Sequence, residues 1–273
     1  METVSNKIGT VSDSMEISII IANYNNEEWV RRGIESIIEQ TYENWELIIV
    51  DDLSSDGSVD IIKGYKDNRI IFYENIEKRW NGGSRNVGLD IASGDYVLFM
   101  DNDDWLDNKH CLKHIADSIV ENGYPDVVRL PYRNFKSGKK QPVIYLDDDT
   151  PEKLVNSLFV APWTKLVKRT KVVKFPENTL IEDVVQHIAQ CDVVDTVGVC
   201  KYPIINWNRD NINSTSLSRN LHKHNSKRVS SVFRNIADLM DLVCTHDYCE
   251  KQRLWRLDAY KNLVRQGKEE EFW

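Results

Sequence analysis

Four short apolar runs separated by helix-like segments constrain most strongly how this chain can fold. The runs are EISIIIANY, WELIIVDD, RIIFYEN and DYVLFMD, within residues 16–101. Each has the length of a strand, and the continuous apolar character is typical of strands buried on both faces. The intervening segments carry apolar residues at helical spacing, as in EEWVRRGIESIIEQ, or begin with turn residues, as in SSDGSVDIIKGY. This alternation predicts an α/β fold with a mostly parallel sheet flanked by helices.

Polar side chains follow three of these four runs. In parallel sheets, ligands bind at the carboxyl ends of the strands. We therefore expect the side chains at the run ends to meet at one edge and form a site. They are Asn23, Tyr24, Asp51, Asp52, Asp101, Asp103 and Asp104.

The stretch DNDD, residues 101–104, places three carboxylates directly after an apolar run. Hard divalent cations such as Mg²⁺ or Mn²⁺ take oxygen ligands, often one or two carboxylates completed by phosphate oxygens. A bound cation would also offset the repulsion between these acids. The alternative is a simple strand-end turn, because Asp and Asn favour turns and helix caps.

Charge and composition exclude several classes of function. The net charge of −8 argues against nucleic acid as a partner. The five cysteines are odd in number and lack metal-site spacing, which indicates free thiols in a reducing compartment. The sequence has no apolar stretch long enough for a membrane span, and residues 1–14 do not resemble a signal peptide. We therefore expect a cytoplasmic protein with a flexible tail over residues 1–14.

The pattern becomes looser after about residue 110. DVVRLPYRNF, PVIYLD and DTVGVCKYPIINWNRD are predicted as strands of a mixed or antiparallel extension. From about residue 220 the apolar spacing is helical, as in VSSVFRNIADLMDLV. This helical extension has three interpretations: packing on the main domain, homodimerisation, or peripheral contact with the inner face of the cell membrane.

Five stretches of the chain, in residues 17–58, 81–106, 161–169, 181–188 and 206–216, occur in an order that is typical of one enzyme family. Together they resemble the family 2 inverting glycosyltransferases, which have the GT-A fold. The resemblance covers about residues 15–218. An acidic triplet alone is weak evidence, whereas five blocks in order are specific.

The resemblance implies a metal-dependent donor site. Asp103 matches the metal ligand of the family's D-x-D motif, and the implied cofactor is Mn²⁺ or Mg²⁺. Asp101 would contact the ribose or the water shell of the metal, and Asp104 is a further candidate ligand. Arg85 matches a residue near the donor diphosphate, and its alternative is a surface salt bridge. The other positions that match donor-binding residues are Asn23, Tyr24, Asn25, Asp51, Asp52, Asn102 and Arg209.

The resemblance also implies a catalytic base. Asp183 matches that base, and its neighbour Glu182 is an alternative for the same role; a helix-start acid is the structural interpretation of both. Trp163 and Lys165 match a block that would contact the sugar or acceptor, although core burial is as good an interpretation of a lone Trp. A segment with Ser214, Thr215 and Ser216 matches a lid over the diphosphate.

These matches predict an enzyme that moves a sugar from a nucleotide-sugar to a hydroxyl of a glycan or lipid-linked acceptor. The resemblance implies a UDP-sugar as the donor, because the family commonly uses one. The alternative is an inactive GT-A-like module that binds carbohydrate or a partner. A sugar-nucleotide pyrophosphorylase is disfavoured, because its glycine-rich phosphate loop is replaced by ANYNNEEW. The predicted domain covers residues 15–219, with a nucleotide-binding half (15–110) and an acceptor half (111–219), before the helical extension (220–273).

Overall fold

The computed structural model describes residues 14–157, 160–177, 179, 182–211, 234 and 236–266. The strands are β1 (Ile17–Asn23), β2 (Trp45–Asp51), β3 (Ile70–Glu74), β4 (Tyr96–Asp101), β5 (Trp105–Leu106), β6 (Val127–Arg129), β7 (Tyr132–Lys136), β8 (Lys139–Ile144), β9 (Lys165–Lys168), β10 (Val197–Val199) and β11 (Ile205–Asn208). The helices are α1 (Val30–Ile38), α2 (Ser58–Lys63), α3 (Trp80–Ile91), α4 (Cys111–Glu121), α5 (Pro151–Asn156), α6 (Glu182–Asp192) and α7 (Asp247–Gln266), and residues 236–241 are also helical.

A seven-stranded sheet in the order β10-β6-β9-β4-β1-β2-β3 forms the centre of the fold. β1 is parallel to β2 and β4, and β2 is parallel to β3. β9 runs antiparallel between β4 and β6. The predicted mixed, mostly parallel sheet is therefore confirmed, and the aromatic block around residue 165 supplies a strand in its middle.

The central strands are apolar on both faces because apolar layers cover both sides of the sheet. Along β1, Ile19 and Ile21 pack in one buried cluster with residues of α1 and α4, whereas Ile20 packs in another with Val50 and Phe99. Alternate residues of a strand point to opposite faces, so both clusters exclude water from the sheet. The polar side chains of these strands lie at the strand ends.

A second, four-stranded sheet has the order β5-β11-β7-β8. β7 and β8 form the predicted antiparallel extension. The segment predicted as a single strand over residues 195–210 forms two strands instead, with β10 in the first sheet and β11 in the second. The polypeptide crosses between the sheets at Cys200–Ile204, which brings β11 beside the DNDD stretch.

The C-terminal helix α7 packs against α5 and α6. Cys249 and Leu257 of α7 join a buried cluster with Val185 and Ile188 of α6. The Asp192 carboxylate at the end of α6 accepts hydrogen bonds from the backbone of Thr245 at 2.7 Å and the backbone of His246 at 2.8 Å. The described part of the extension therefore packs on the main domain, which was one of its three interpretations.

Replacing Asp192 with Ala is expected to lower the free energy of unfolding by about 2 kcal/mol. Asp192 is 7 % exposed, so its loss leaves the backbone donors that precede α7 without their acceptor, and unmade buried hydrogen bonds are costly. Urea denaturation measures the change, and hydrogen exchange should accelerate at residues 245–250. The control is Asp195→Ala, because Asp195 is exposed and pairs only with Lys171 at 2.9 Å among the described residues; equal effects would contradict the assignment.

Candidate active site

The ends of β1, β2 and β4 lie side by side, as the sequence predicts. Asn23 is paired in register with Asp51, and Ala22 with Asp101. The Asn102 side chain donates to Asn23 Oδ1 at 2.9 Å, and Asn23 Nδ2 donates to Asp51 Oδ1 at 2.7 Å. This chain of hydrogen bonds fixes three of the predicted donor-binding residues relative to one another.

Asp51 is fully buried and organises the loop that follows β2. Its carboxylate accepts from the Ser54 backbone at 2.8 Å and from the Ser54 hydroxyl at 2.6 Å. Ser54 Oγ in turn accepts from the backbone of Asn25 at 2.9 Å, where the chain has a φ of 45°. Asp51 therefore holds residues 23–25 in place through its hydrogen bonds to Asn23 and Ser54.

Asp52 joins the β2 end to the start of α3. Its carboxylate accepts from the backbone N–H groups of Arg79 at 2.7 Å and Trp80 at 2.9 Å. Lys78 Nζ lies 3.0 Å from Asp52 Oδ2 and 3.0 Å from the centre of the Tyr24 ring. Sequence reasoning missed Lys78, although it is a basic residue a few positions before the GGSRN block (residues 82–86) and suits a site for an anion.

Arg85 connects the end of β4 to the start of α6. Its guanidinium donates to Asp101 Oδ1 at 2.8 Å and to Glu182 Oε1 at 2.6 Å. Arg85 is 5 % exposed and Glu182 is 3 % exposed, so the alternative of a surface salt bridge does not describe this contact. Three predicted site residues that are far apart in the sequence thus meet at one guanidinium.

A glycine allows this close approach. A Cβ atom on Gly82, in the first turn of α3, would lie 2.6 Å from the carbonyl oxygen of Pro176 and 3.1 Å from Glu182 Cγ. No real side chain tolerates the first distance, so the segment before α6 can contact α3 only because residue 82 is glycine. The GGSRN block therefore supplies both the space and the arginine.

Glu182 and Asp183 occupy different environments. Glu182 is buried against Arg85, whereas Asp183 keeps partial exposure. Burial raises the pKa of Glu182 to about 8 and also raises the pKa of Asp183, and the charge of Arg85 opposes both shifts. A partly exposed carboxyl group with a raised pKa is suited to accept a proton near neutral pH.

The raised pKa of Glu182 predicts that stability falls as the pH rises. Unfolded Glu ionises near its usual pKa of about 4.3, so the folded state binds more protons than the unfolded state between that pH and about 8. The urea midpoint should therefore decline across this window, and Glu182→Gln should flatten the decline. Glu177→Gln, a change at an exposed glutamate, is the control and should leave it unchanged. Equal slopes for the protein and Glu182→Gln would contradict the prediction.

The three acids of the DNDD stretch differ in accessibility. Asp101 and Asp103 are partly exposed, and Asp103 Oδ2 accepts from the side chain of Asn211 at 2.9 Å. Asp104 is fully buried, and its Oδ1 accepts from the backbone of Asn208 in β11 at 2.8 Å. Among the described residues, no three His, Cys, Asp or Glu side chains are grouped to hold a metal ion. Two accessible carboxylates do fit a cation that draws its other ligands from phosphate and water.

Trp163 and Lys165 lie in the interior. Trp163 is 3 % exposed and packs edge-on against Tyr132 at 5.0 Å between ring centres. Lys165 is 1 % exposed. Trp163 therefore occupies a core position, which was the alternative interpretation of this residue. A contact of Trp163 or Lys165 with the acceptor stays a prediction.

Arg209 lies on the surface beside the site. Its guanidinium is 4.3 Å from the ring centre of Trp207, and its backbone donates to the carbonyl of Phe135 at 2.8 Å. Two residues later, Asn211 contacts Asp103. The predicted lid residues Ser214, Thr215 and Ser216 lie outside the described residues.

Comparison with known proteins identifies the family. Residues 18–170 match the model for glycosyl transferase family 2, which is more than half of the chain. The chain belongs to glycosyl transferase family 2. The predicted resemblance is therefore confirmed, and the strand-end site lies within the matched segment except for the residues from Glu182 onward.

Several curated proteins of known name are similar to part of the chain. The Escherichia coli UDP-Glc:alpha-D-GlcNAc-diphosphoundecaprenol beta-1,3-glucosyltransferase WfaP is 46 % identical over 94 residues, which are 34 % of this chain and 38 % of that protein. The poly(ribitol-phosphate) beta-N-acetylglucosaminyltransferase TarS of Staphylococcus aureus strain MW2 is 29 % identical over 175 residues, 60 % of this chain and 30 % of TarS. Each match covers less than two fifths of the relative.

Solved structures support the fold. S. aureus TarS 1–349 in complex with UDP-GlcNAc aligns with a TM-score of 0.71 at 20 % identity, over 91 % of this chain and 73 % of that one. The mannosyltransferase PcManGT from Pyrobaculum calidifontis, in complex with GDP-Man and Mn²⁺, aligns with a TM-score of 0.58 at 16 % identity, over 93 % of this chain and 71 % of that one. The predicted GT-A architecture is therefore confirmed.

Proposed function

We propose that this protein is an inverting glycosyltransferase that moves a sugar from a nucleoside diphosphate sugar to a hydroxyl group of a glycan or lipid-linked acceptor. The observation that carries the proposal is the position of Arg85 between Asp101 and Glu182. This contact joins the end of β4 to Glu182, the neighbour of Asp183 in the chain, which supports a donor diphosphate and a base sharing one site. Building or decorating a surface glycan is the setting suggested by the names of the relatives.

Asp183 is the base in this proposal. Its carboxylate removes the proton of the acceptor hydroxyl as the oxygen attacks the anomeric carbon and the bond to the diphosphate oxygen breaks. A single displacement of this kind inverts the configuration at that carbon. Glu182 is committed to Arg85 at 2.6 Å, which favours a structural role for it and leaves Asp183 to act on the acceptor.

The donor side uses the ends of β1, β2 and β4. Tyr24 and Asp52 would contact the base and ribose, with Asn25 in the adjoining loop, and Arg85 and Arg209 offer guanidinium donors to the diphosphate. Asp103 and Asp101 would hold Mg²⁺ or Mn²⁺, whereas the burial of Asp104 favours a role in anchoring β11. Such a cation would offset the negative charge that the leaving diphosphate gains.

A UDP-sugar is the first donor to test. The names of WfaP and of the TarS complex specify UDP-Glc and UDP-GlcNAc, while the mannosyltransferase complex holds GDP-Man. The same names give two acceptor classes, a sugar diphosphate on a lipid carrier and a polyol phosphate polymer. Both acceptor classes are anionic. Arg209, an exposed cation two residues before Asn211, would be available to contact them.

Membrane contact and homodimerisation remain proposals that concern the C-terminal helices. Of the described helices, none has the length and apolar character needed to cross a bilayer. Several apolar side chains of this region are nevertheless exposed, which is the feature that favours a covering partner or an interface with lipid. These are Met240, Val243, Leu254 and Trp255.

The test is turnover of purified protein with a panel of UDP-, GDP- and dTDP-sugars, with Mn²⁺ and each acceptor class. Release of nucleoside diphosphate that depends on one donor and one acceptor is expected, with an inverted anomeric configuration in the product by NMR. Asp183→Asn is the control for contaminating activity. Absence of turnover with every donor, despite nucleotide binding, would instead support the inactive binding module.

A further inference from the structure

Lys165 and His187 form a buried pair that the proposed reaction does not use. Lys165 Nζ lies 3.0 Å from His187 Nδ1, and the two residues are 1 % and 0 % exposed. Lys165 begins β9, while His187 lies on α6 four residues after Asp183. The pair therefore connects the central sheet to the helix that carries the base.

The hydrogen-bond partners determine where the protons lie. His187 Nε2 is 3.0 Å from the carbonyl oxygen of Leu154 in α5, and a carbonyl oxygen can only accept. Nε2 must then carry the imidazole hydrogen, so Nδ1 is the acceptor of a hydrogen bond from Lys165. Lys165 Nζ also donates to the carbonyl of Val160 at 2.9 Å. The result is a buried bridge from β9 through α6 to α5.

In this bridge the imidazole of His187 is neutral, and Lys165 is the protonated group. Burial lowers the pKa of His187 well below 6.5 and lowers the pKa of Lys165 to about 7. Below about pH 7 the lysine is therefore the group of the pair that carries charge. The other charged or titratable groups that face the pair or Asp183 are Arg85 of α3, Asp101 of β4, Arg129 of β6, Glu182 and Cys191 of α6, and Arg256 of α7.

Packing alone does not account for a lysine at this position. A buried ammonium group loses its hydration, and an apolar side chain of similar length would avoid that cost. The lysine instead makes two directed hydrogen bonds, and one of its partners, His187, lies one helical turn after Asp183 on α6.

We propose that Lys165 and His187 are positioning residues for Asp183: the bridge fixes the first turns of α6, and the lysine supplies a positive charge near the base. This inference rests on the proposed role of Asp183. Burial raises the pKa of Asp183, whereas the charges of Arg85 and, to a smaller extent, Lys165 lower it. The lysine thereby extends to lower pH the range in which Asp183 is ionised and able to accept a proton.

The experiment is an NMR titration of ¹³C-labelled Asp carboxyl groups in the protein and in Lys165→Met. The Asp183 resonance is identified by its loss in Asp183→Asn. The midpoint of its titration is expected to rise by about half a pH unit or more in Lys165→Met, because an attractive charge has been removed. The acid limb of kcat/KM should move in the same direction while the KM for the donor stays unchanged. Lys165→Gln replaces Lys165→Met if the latter does not fold.

Gln190→Leu is the matched control on the same helix. Gln190 is fully buried and bonds to the backbone of Lys171 at 2.8 Å and of Val173 at 2.9 Å. This variant should lower Tm without moving the Asp183 midpoint. The inference is overturned if Lys165→Met behaves in the same way, or if it raises only the acceptor KM. Because the NMR midpoint does not depend on turnover, an inactive protein would refute the proposed function separately.

Discussion

Replacing Asp183 with Asn is expected to lower kcat by about 100- to 10,000-fold, the usual contribution of a general base. The amide has nearly the same shape as the carboxyl group but cannot accept the proton of the acceptor hydroxyl. Affinity for the donor nucleotide should stay within about threefold, since the base does not act on the donor. Initial rates with the active donor and calorimetric titration of its nucleotide measure the two effects.

Glu182→Gln is the matched control for Asp183→Asn, because the two acids are neighbours and both have raised pKa values. Gln keeps a polar contact with Arg85, so this variant should retain most of its activity. If Glu182→Gln abolishes turnover while Asp183→Asn does not, the two residues exchange the roles assigned to them.

Arg85→Met is expected to have the second large effect, on both stability and activity. The guanidinium is buried between Asp101 and Glu182, and its loss leaves these two acids and the nearby Asp183 without their shared cation. Breaking one side of a buried ion pair typically costs about 3 kcal/mol or more in unfolding free energy. Urea denaturation gives this value. In the proposed function Arg85 also contacts the donor diphosphate, so the variant should lower kcat/KM by about 100-fold, equivalent to two good charge-assisted hydrogen bonds.

Arg79→Met provides the comparison for Arg85→Met. The Arg79 side chain lies six residues earlier and makes exposed contacts with Glu77 and Glu177. Exposed ion pairs contribute less than about 1 kcal/mol. Equal losses of stability in the two variants would contradict the central role of the Arg85 bridge.

The parallel half of the fold was predictable because its signals are local. Each of the first four strands is a continuous apolar run, and polar residues mark where it ends. The register that places Asn23 beside Asp51 follows from parallel pairing of adjacent strands. The family resemblance rests on the same local blocks, so the proposed residues of the donor side can be named from the sequence alone.

The rest of the site depends on contacts between distant parts of the chain. Nothing near Lys165 indicates that β9 inserts antiparallel between β4 and β6, and this insertion is what buries the lysine against His187. Lys78 reaches Tyr24 only after α3 docks on the sheet. Asp104 looks equivalent to Asp103 in the sequence, yet the crossing of β11 buries one and leaves the other accessible.

Calorimetric titration of UDP, with and without Mn²⁺, into the protein and into Asp103→Asn is the most direct test of a metal-assisted donor site at the end of β4. GDP and dTDP are titrated in parallel, and Asp117→Asn, a change at a partly exposed acid of α4 that pairs with Lys113, controls for net charge. One nucleotide is expected to bind tightly only with Mn²⁺. Asp103→Asn should weaken this binding by at least about tenfold, and Asp117→Asn should not. Binding that is independent of both metal and Asp103 would contradict a metal-assisted donor site at the end of β4.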